Sequence, residues 1–310
     1  TIALIIPCYN EAENLQKTPE IVSSYISNLI KEKKIGSESF ILFVDDGSDD
    51  GSKELLETIK TKYKNVDSIT LDQNYGHQIA IIAGMDFSVT KSDAMISIDC
   101  DLQQELPAIA KFIASYNKGN QIVLGVRKNR SKEKIFKTIT AQLYHTIITA
   151  IGIKYVKGHS DFRLVDSAVY SELQRLIWAN QFLRSVFSNT KYKTDVQTHE
   201  VFERLTGSTK YSFPKMLALG LEGIFTNSLL TLRFFGFFGL IVSIFSILLI
   251  FYGLFAKFFL EPVEGWSSIF LIISFFGGIT VFSFSLLSEA ILRLLKQFLG
   301  GHPYRINYEK

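Results

Sequence analysis

The chain has 310 residues, a net charge of +3 at neutral pH, 47% hydrophobic residues and 26 phenylalanines. Because the charge is mild and no long basic run is present, the composition excludes a typical nucleic-acid-binding protein. The two cysteines, Cys8 and Cys100, lack the spacing of a zinc site or a disulfide framework, which favours a reducing compartment.

Short apolar strands alternate with helices over the first 130 residues. The pattern predicts strands at 3–7, 40–44, 68–71, 94–98 and 122–126, and helices at 52–62, 76–89 and 106–116. Another helix is expected to begin near Glu11 with Asn10 as its cap. This alternation is typical of an α/β fold with a mostly parallel sheet. Because residues 1–7 already have strand character, no signal peptide is expected before them.

Polar clusters follow three of these strands, at the ends where ligands of α/β sheets bind. Asp99, Asp101 and Gln103 occupy alternate positions, so their oxygens point the same way in extended backbone. Such ligands suit Mg²⁺ or Mn²⁺ bound together with phosphates, although two aspartates are also typical of a solvated turn. Asp45 and Asp46 are suited to bind a base or a ribose, and equally to form a turn before a helix.

A different pattern begins near residue 130. Basic residues crowd the start of the segment 132–152, and isoleucine or leucine recurs every four positions from Ile135 to Ile151. Two interpretations stay open, a helix in a membrane interface and an ordinary helix on the sheet. Residues 212–228 are predicted to form a juxtamembrane amphipathic helix that begins at Ser212-Phe213-Pro214.

Two uncharged stretches, 234–256 and 265–288, dominate the C-terminal third. As helices, each is roughly 35 Å long, enough to cross the hydrocarbon core of a bilayer. We therefore predict a two-helix transmembrane domain at 229–292, with a pair of buried core helices as the alternative. The outer flanks are more basic than the connecting loop, so both termini, including the tail 293–310, are expected in the cytoplasm.

Seven short motifs together resemble a known family. The first four are Pro7-Cys8-Tyr9-Asn10-Glu11, Val44-Asp45-Asp46-Gly47-Ser48, Asn74-Tyr75-Gly76-His77-Gln78 and Asp99-Cys100-Asp101-Leu102-Gln103. In this order and spacing they resemble inverting family 2 glycosyltransferases. The others are Gly125-Val126-Arg127, Ser160-Asp161-Phe162-Arg163-Leu164 and Arg204-x-x-Gly207-x-x-Lys210-Tyr211-Ser212. They narrow the resemblance to polyprenyl-phosphate glycosyltransferases, in the bacterial branch with two transmembrane helices.

The resemblance implies a GT-A fold over residues 1–211 and a set of site residues. The nucleotide pocket would be lined by Pro7, Tyr9, Glu11, Asp45, Asp46 and Asp99. The Mg²⁺ or Mn²⁺ ion would be surrounded by Asp99, Asp101 and Gln103. One departure follows the acidic motif: Gln104-Glu105-Leu106-Pro107 stands where the family commonly has an Asp or His followed by Pro. His77 and His159 are expected to lie in loops near the site, where exposed histidines are usually incidental.

A lipid phosphate is already ionised near neutral pH, so such an acceptor needs cations more than a general base. Guanidinium groups match phosphate oxygens, and the candidate arginines are Arg127, Arg130, Arg163 and Arg204. Asp161 would orient an arginine, contact the sugar or act as a base, and we favour the orienting role.

The resulting hypothesis is a metal-dependent enzyme of the cytoplasmic membrane that serves cell-envelope glycosylation. It would transfer a sugar from a nucleotide sugar to undecaprenyl phosphate. Glucose is the default sugar, and the donor is expected to be UDP-linked. The resemblance also implies a homo-oligomer, a tetramer. One alternative is a processive polysaccharide synthase, although Gln181-Phe182-Leu183-Arg184 is followed by Ser185 instead of the usual Trp. Another is a non-catalytic, nucleotide-binding membrane partner.

Overall fold

The computed structural model describes residues 1–128, 156, 158–179, 183–188, 190–200 and 302–307, together with separate positions between 269 and 294. The chain divides into two compact units, residues 1–218 with 302–310 and residues 219–301. In the second unit the described positions are helical, and several of their large apolar side chains are exposed: Ile269, Ile272, Phe276, Leu287, Ile291 and Leu294.

A seven-stranded sheet forms the centre of the first unit. Its strands are β1 (Ile2–Cys8), β2 (Phe40–Asp45), β3 (Val66–Thr70), β4 (Ala94–Ser97), β5 (Ile122–Arg127), β6 (His159–Asp166) and β7 (Thr194–His199). The order across the sheet is β3-β2-β1-β4-β6-β5-β7. Neighbouring strands are parallel except that β6 runs antiparallel to both β4 and β5.

Helices cover both faces of this sheet. They are α1 (Ala12–Leu15), α2 (Thr18–Lys31), α3 (Ser52–Lys62), α4 (His77–Ser88), α5 (Pro107–Asn117), α6 (Ser167–Ala179) and α7 (Leu183–Ser188). Alternate side chains of β1 enter two separate apolar clusters, with Leu4 and Ile6 on one face and Ala3 and Ile5 on the other. A strand buried on both faces is read in the sequence as a continuous apolar run, which explains why β1 was predictable.

The five predicted strands are all present, and α3 has the predicted bounds. The prediction that Asn10 caps the first helix is wrong. Asn10 has a φ of 53°, and its Oδ1 accepts a hydrogen bond from the Asp49 N–H at 3.0 Å. Glu11 instead occupies the cap position of α1, without a side-chain cap bond. Asparagine tolerates the left-handed conformation, so Asn10 serves the turn that leads into the helix.

Several predicted segments lie outside the described residues: the helix at 132–152, the helix at 212–228, the uncharged stretch at 234–256 and most of the one at 265–288. Among the positions that the structure does describe, no helix is long and apolar enough to cross a membrane. The C-terminal residues 302–307, expected to form part of a tail, instead pack within the first unit.

The turn after β2 lies against the loop 72–76. Gly47 has a φ of +69°, and a Cβ at this position would come within 2.5 Å of the Gln73 carbonyl carbon. Gly51 also has a positive φ, +87°, but a Cβ there would meet nothing within 4 Å. Both positions favour glycine for backbone reasons, and Gly47 is additionally required by the close approach of a second backbone.

We expect Gly47→Ala to lower the free energy of unfolding by about 2 kcal/mol more than Gly51→Ala does. Gly51→Ala is the matched control, because it carries a comparable left-handed strain of about 1 kcal/mol without the backbone overlap. Urea unfolding of the purified variants measures the difference. Equal losses would contradict the close packing of the two loops.

Candidate active site

Residues at the ends of five of the seven strands form a polar site at one edge of the sheet. The parallel strands β1, β2, β4 and β5 present their carboxyl ends there, and the antiparallel strand β6 presents its amino end. The register pairs Ser97 of β4 with Arg163 of β6, which brings Asp161 to the same edge as Asp99. Residues that are distant in sequence therefore form one polar site.

Asp45 and Asp46 end β2 and serve different purposes. One oxygen of Asp45 accepts hydrogen bonds from the Ser48 hydroxyl at 2.5 Å and the Ser48 N–H at 3.3 Å. Its Oδ2 is buried without a hydrogen-bond partner, and burial raises the pKa of this carboxyl. A buried acceptor without a partner is costly, so Asp45 is suited to a donor supplied by a ligand.

Asp46 is committed to the protein backbone. Its two oxygens accept hydrogen bonds from the N–H groups of Tyr75 and Gly76, both at 2.8 Å. Burial raises the pKa of Asp46, although these two N–H groups oppose the shift. Asp46 therefore holds the loop 72–76 through both of its oxygens, and its expected position in the nucleotide pocket stays a prediction.

The residues after β1 are tied to the turn after β2. The Asn10 N–H donates to the Ser48 hydroxyl at 2.9 Å, and the Glu11 N–H donates to the Ser52 hydroxyl at 3.1 Å. Tyr9 lies between this anchor and Pro7, and 45% of its surface is exposed. An exposed aromatic ring at this edge is available for stacking against a planar ligand.

The acidic loop after β4 is held by its own polar groups. Gln104 is buried and donates through Nε2 to Oδ2 of Asp99, whereas the Gln103 N–H donates to Oδ1 of Asp101 at 3.2 Å. The Thr18 hydroxyl donates to the Cys100 carbonyl at 2.9 Å. Gln104, which departs from the family pattern, therefore orients one of the expected metal-binding carboxylates.

The expected metal ligands Asp99, Asp101 and Gln103 all lie on this loop. Their carboxylate and amide oxygens are the ligand type that Mg²⁺ and Mn²⁺ prefer, so the donor set fits such an ion. Across the described part of the chain, no three His, Cys, Asp or Glu side chains form a metal-binding group by themselves. Gln103, water and ligand phosphates would have to complete the coordination.

Asp161 is a buried carboxylate that contacts two arginines. Arg163 donates through Nη2 to Oδ1, and Arg184 donates through Nη2 to Oδ2 at 2.7 Å. Burial alone would raise the pKa of Asp161, but the two arginines outweigh burial and hold the pKa well below its usual range. Asp161 is therefore a permanent anion near neutral pH, which favours the predicted orienting role over that of a base.

Arg163 has no exposed surface, and its guanidinium also lies 5.5 Å from the centroid of the Phe187 ring. Burial lowers the pKa of Arg163 to about 10, so it stays charged at neutral pH. Its Nε and Nη1 have no hydrogen-bond partner. The guanidinium, which has no exposed surface, supports Asp161 in this structure, and the expected phosphate contact of Arg163 stays a prediction.

Arg184 is a site residue that was not predicted from the sequence, and His77 was expected near the site but without a role. Arg184, on α7, was used only to weigh the processive alternative, yet it bonds Asp161 with a side chain that is 41% exposed. His77 begins α4 and places Nε2 3.5 Å from Asp99 Oδ1 and 3.7 Å from Asp161 Oδ2. The signals available were the Gln-x-x-Arg spacing for Arg184 and the position of His77 after a glycine-containing loop.

The remaining predicted residues are less central. His159 was expected in a loop but begins β6, where burial lowers its pKa to about 2, so it is a neutral core residue. Arg127 is exposed at the carboxyl end of β5. Arg130 and Arg204 lie outside the described residues.

We predict that Asp161→Asn lowers the free energy of unfolding by about 3–5 kcal/mol, because it leaves Arg163 charged and buried without a partner. The double variant Asp161→Asn/Arg163→Met should recover at least about 2 kcal/mol relative to the sum of the single changes. Urea unfolding of the four chains measures this coupling. Additive losses would show that the two groups act independently.

The same pair predicts a dependence on pH. Because folding depresses the pKa of Asp161, its contribution is complete above the unfolded value of about 3.9 and is lost as the pH falls through the lower folded value. The stability difference between the unaltered chain and Asp161→Asn should stay constant from about pH 7 to 5 and shrink below about pH 4. A difference that shrinks between pH 7 and 5 would contradict the assignment.

Comparison with known proteins agrees with this architecture. The profile of glycosyl transferase family 2 matches residues 3–172. The chain is 33% identical to the uncharacterized glycosyltransferase YkoT of Bacillus subtilis (strain 168), over 99% of this chain and 91% of that protein. It is 30% identical to the SfII prophage-derived bactoprenol glucosyl transferase of Shigella flexneri, over 98% of this chain and 97% of that protein.

Among solved structures, glucosyl-3-phosphoglycerate synthase from Mycobacterium tuberculosis in complex with phosphoglyceric acid is similar at 16% identity, with a TM-score of 0.48 over 75% of this chain and 79% of that one. The family match and the mostly parallel sheet together support a GT-A-like α/β fold. The resemblance inferred from the motifs is confirmed: the chain belongs to glycosyl transferase family 2, in the group that includes the bactoprenol glucosyl transferases.

Proposed function

We propose that this chain transfers a sugar from a nucleotide diphosphate sugar to a polyprenyl phosphate at the cytoplasmic leaflet of a membrane. UDP-glucose and undecaprenyl phosphate are the first substrates to test. The observation that carries the proposal is the buried Asp161 between Arg163 and Arg184, an anion that is fixed and not poised to accept a proton. Such a site suits an acceptor that is already ionised, as a lipid phosphate is.

The donor is proposed to bind over the ends of β1, β2 and β4. The orphaned Oδ2 of Asp45 would accept a hydrogen bond from the base, and the exposed ring of Tyr9 would stack against it. Pro7 and Glu11 would complete the wall of this pocket. Asp99, Asp101 and Gln103 would hold Mg²⁺ or Mn²⁺, which when bound neutralises the diphosphate of the leaving nucleotide.

In the proposed reaction an oxygen of the acceptor phosphate attacks the anomeric carbon while the bond from that carbon to the nucleotide diphosphate breaks. One displacement of this kind inverts the configuration and needs no proton transfer to the enzyme. Arg184 carries a partly exposed guanidinium beside Asp161, so it is placed to bind the phosphate while Asp161 fixes its direction. Arg127, and Arg130 and Arg204 by motif, are further candidates for this cation cluster.

The membrane part of the proposal rests on the uncharged stretches 234–256 and 265–288 and on full-length similarity to bactoprenol glucosyl transferases. A lipid acceptor requires that the site reach the leaflet, and two C-terminal membrane spans would keep it there. The interfacial helix at 132–152 and the tetramer belong to the same proposal.

The decisive test is turnover by the purified full chain with labelled nucleotide sugars. We expect transfer from one of UDP-glucose, UDP-N-acetylglucosamine or GDP-mannose to undecaprenyl phosphate, and no transfer to undecaprenol, which lacks the phosphate. Excess chelator and Asp101→Asn should each remove nearly all activity, since the amide keeps the shape of the side chain and loses its charge. Full turnover in excess chelator would reject the metal, and nucleotide binding without turnover would support the non-catalytic alternative.

Arg184→Ala should raise the KM for the lipid phosphate about ten- to a hundredfold, because a charge-assisted phosphate contact is worth about 1.5–3 kcal/mol. The KM for the nucleotide sugar should change much less. Arg175→Ala is the matched control, since it removes an exposed arginine from α6 away from the site. An Arg184→Ala enzyme with unchanged acceptor kinetics would place the acceptor phosphate elsewhere.

A further inference from the structure

The C-terminal segment 302–307, named here the C-terminal strap, lies against the catalytic unit. Ile306 forms an antiparallel bridge with Leu71, next to the end of β3. The Asp72 N–H donates to the Arg305 carbonyl at 3.1 Å, and the Asn307 N–H donates to the Thr70 carbonyl at 2.8 Å. The strap therefore pairs with residues 70–72, immediately before the loop 72–76.

Asp86, near the end of α4, anchors the other part of the strap. The Tyr304 hydroxyl donates to Asp86 Oδ2 at 3.0 Å, and the His302 ring contacts the Trp178 ring in a tilted arrangement with centroids 4.6 Å apart. Asp86 has a side chain that is 5% exposed. It also accepts hydrogen bonds from three groups on α6, namely the Tyr170 hydroxyl, the Gln174 amide and the Trp178 indole N–H.

These two attachments lie at opposite ends of one stretch, residues 70–88. Between them, the loop 72–76 and His77 border the active site. The loop 72–76 donates two backbone N–H groups to Asp46, and Tyr75 donates its hydroxyl to Asp72 at 2.7 Å. His77 then contacts both Asp99 and Asp161. Whatever holds the ends of this stretch also limits where the loop and His77 lie.

A purely structural role, covering the edge strand β3, would require only the backbone pairing at 70–72. The bond from Tyr304 to Asp86 is additional, because it attaches the strap to the helix that begins with His77. A hydrogen bond to a buried carboxylate is among the stronger side-chain interactions, so the attachment is specific. The strap also follows residue 301 directly, where the second compact unit ends in the sequence.

We propose that the C-terminal strap positions the donor side of the active site, with Tyr304 and Asp86 as positioning residues that act through α4 and the loop 72–76. The inference rests on the proposed function for the identity of the donor, a nucleotide diphosphate sugar. After residues 219–301 the chain re-enters the first unit, and the proposal requires this last segment for a complete site. An enzyme without the strap retains Asp99, Asp101 and Asp161, but the loop 72–76 and His77 are held less firmly.

The test compares the full chain with a chain that ends at Gly301, and with Tyr304→Phe and Tyr304→Ala. A chain that ends at Asn307 is the matched control, because it is shortened but keeps the strap. Two quantities are measured, amide hydrogen exchange at residues 70–76 and the KM for each substrate. Exchange in β1 and β5 reports whether each variant is folded.

We expect loss of the strap to accelerate exchange at 70–76 and to raise the donor KM about tenfold, with the acceptor KM within about twofold of the unaltered value. Tyr304→Ala should produce most of this effect, and Tyr304→Phe a smaller part, because it removes only the hydroxyl. A peptide with residues 302–310 should restore the donor KM of the chain ending at Gly301, whereas the same peptide with Tyr304→Ala should not.

Unchanged exchange and donor KM in the chain ending at Gly301 would overturn the proposal, as would equal changes in both KM values. If that chain fails to fold, the two Tyr304 variants decide by the same criteria. If the unaltered chain turns over no nucleotide sugar, the proposed function fails. The exchange data and calorimetric binding of UDP then decide separately whether the strap orders a nucleotide site.

Discussion

The buried charge of Asp161 is the interaction on which the geometry of the site depends. A carboxylate removed from water is stable only when charged partners and hydrogen bonds replace its hydration. Arg163 comes from the same strand and Arg184 from α7, so the requirement ties β6 to a helix whose arginine lies 23 residues after Asp161. The backbone of Asp161 is held as well, because the Ser97 hydroxyl of β4 donates to its carbonyl. The side chain and the backbone of Asp161 together connect β4, β6 and α7 at the edge where the ligand is proposed to bind.

Negative charge accumulates along this edge, since Asp45, Asp46, Asp99, Asp101 and Asp161 all lie at strand ends. These carboxylates have different partners in the protein. Asp46 is bound by backbone N–H groups, Asp161 by arginines, and Asp99 by Gln104 and His77. Asp45 has an oxygen without a partner. An acidic edge of this kind is suited to a ligand that brings hydrogen-bond donors, or to an anionic ligand accompanied by a cation.

The parallel half of the fold could be predicted from sequence because each element carries its own local signal. Strands β1, β2, β4 and β5 are mainly apolar runs, and α3 is bounded by a glycine and a basic last turn. β6 carries no such signal, since His159, Ser160, Asp161 and Arg163 are polar residues within a buried strand. Their burial is stable only through partners that are distant in sequence, such as Arg184 and Ser97. The family resemblance therefore identified the motif, whereas local periodicity did not predict its strand.

The same dependence on distant partners explains why the contacts of several site residues could not be predicted from their motifs. Asp46 and Arg163 stand in motifs whose residue types suit nucleotide and phosphate binding, yet the contacts that the structure shows for them are with groups of the protein itself. Their partners come from the loop 72–76 and from Asp161, and only the sheet order places those partners within reach. The converse holds for His77 and Arg184, which carry no strong local signal but lie where β4, β6 and α4 converge. A motif restricts which residues approach the site, and the long-range packing decides which of them face the ligand and which hold the others in place.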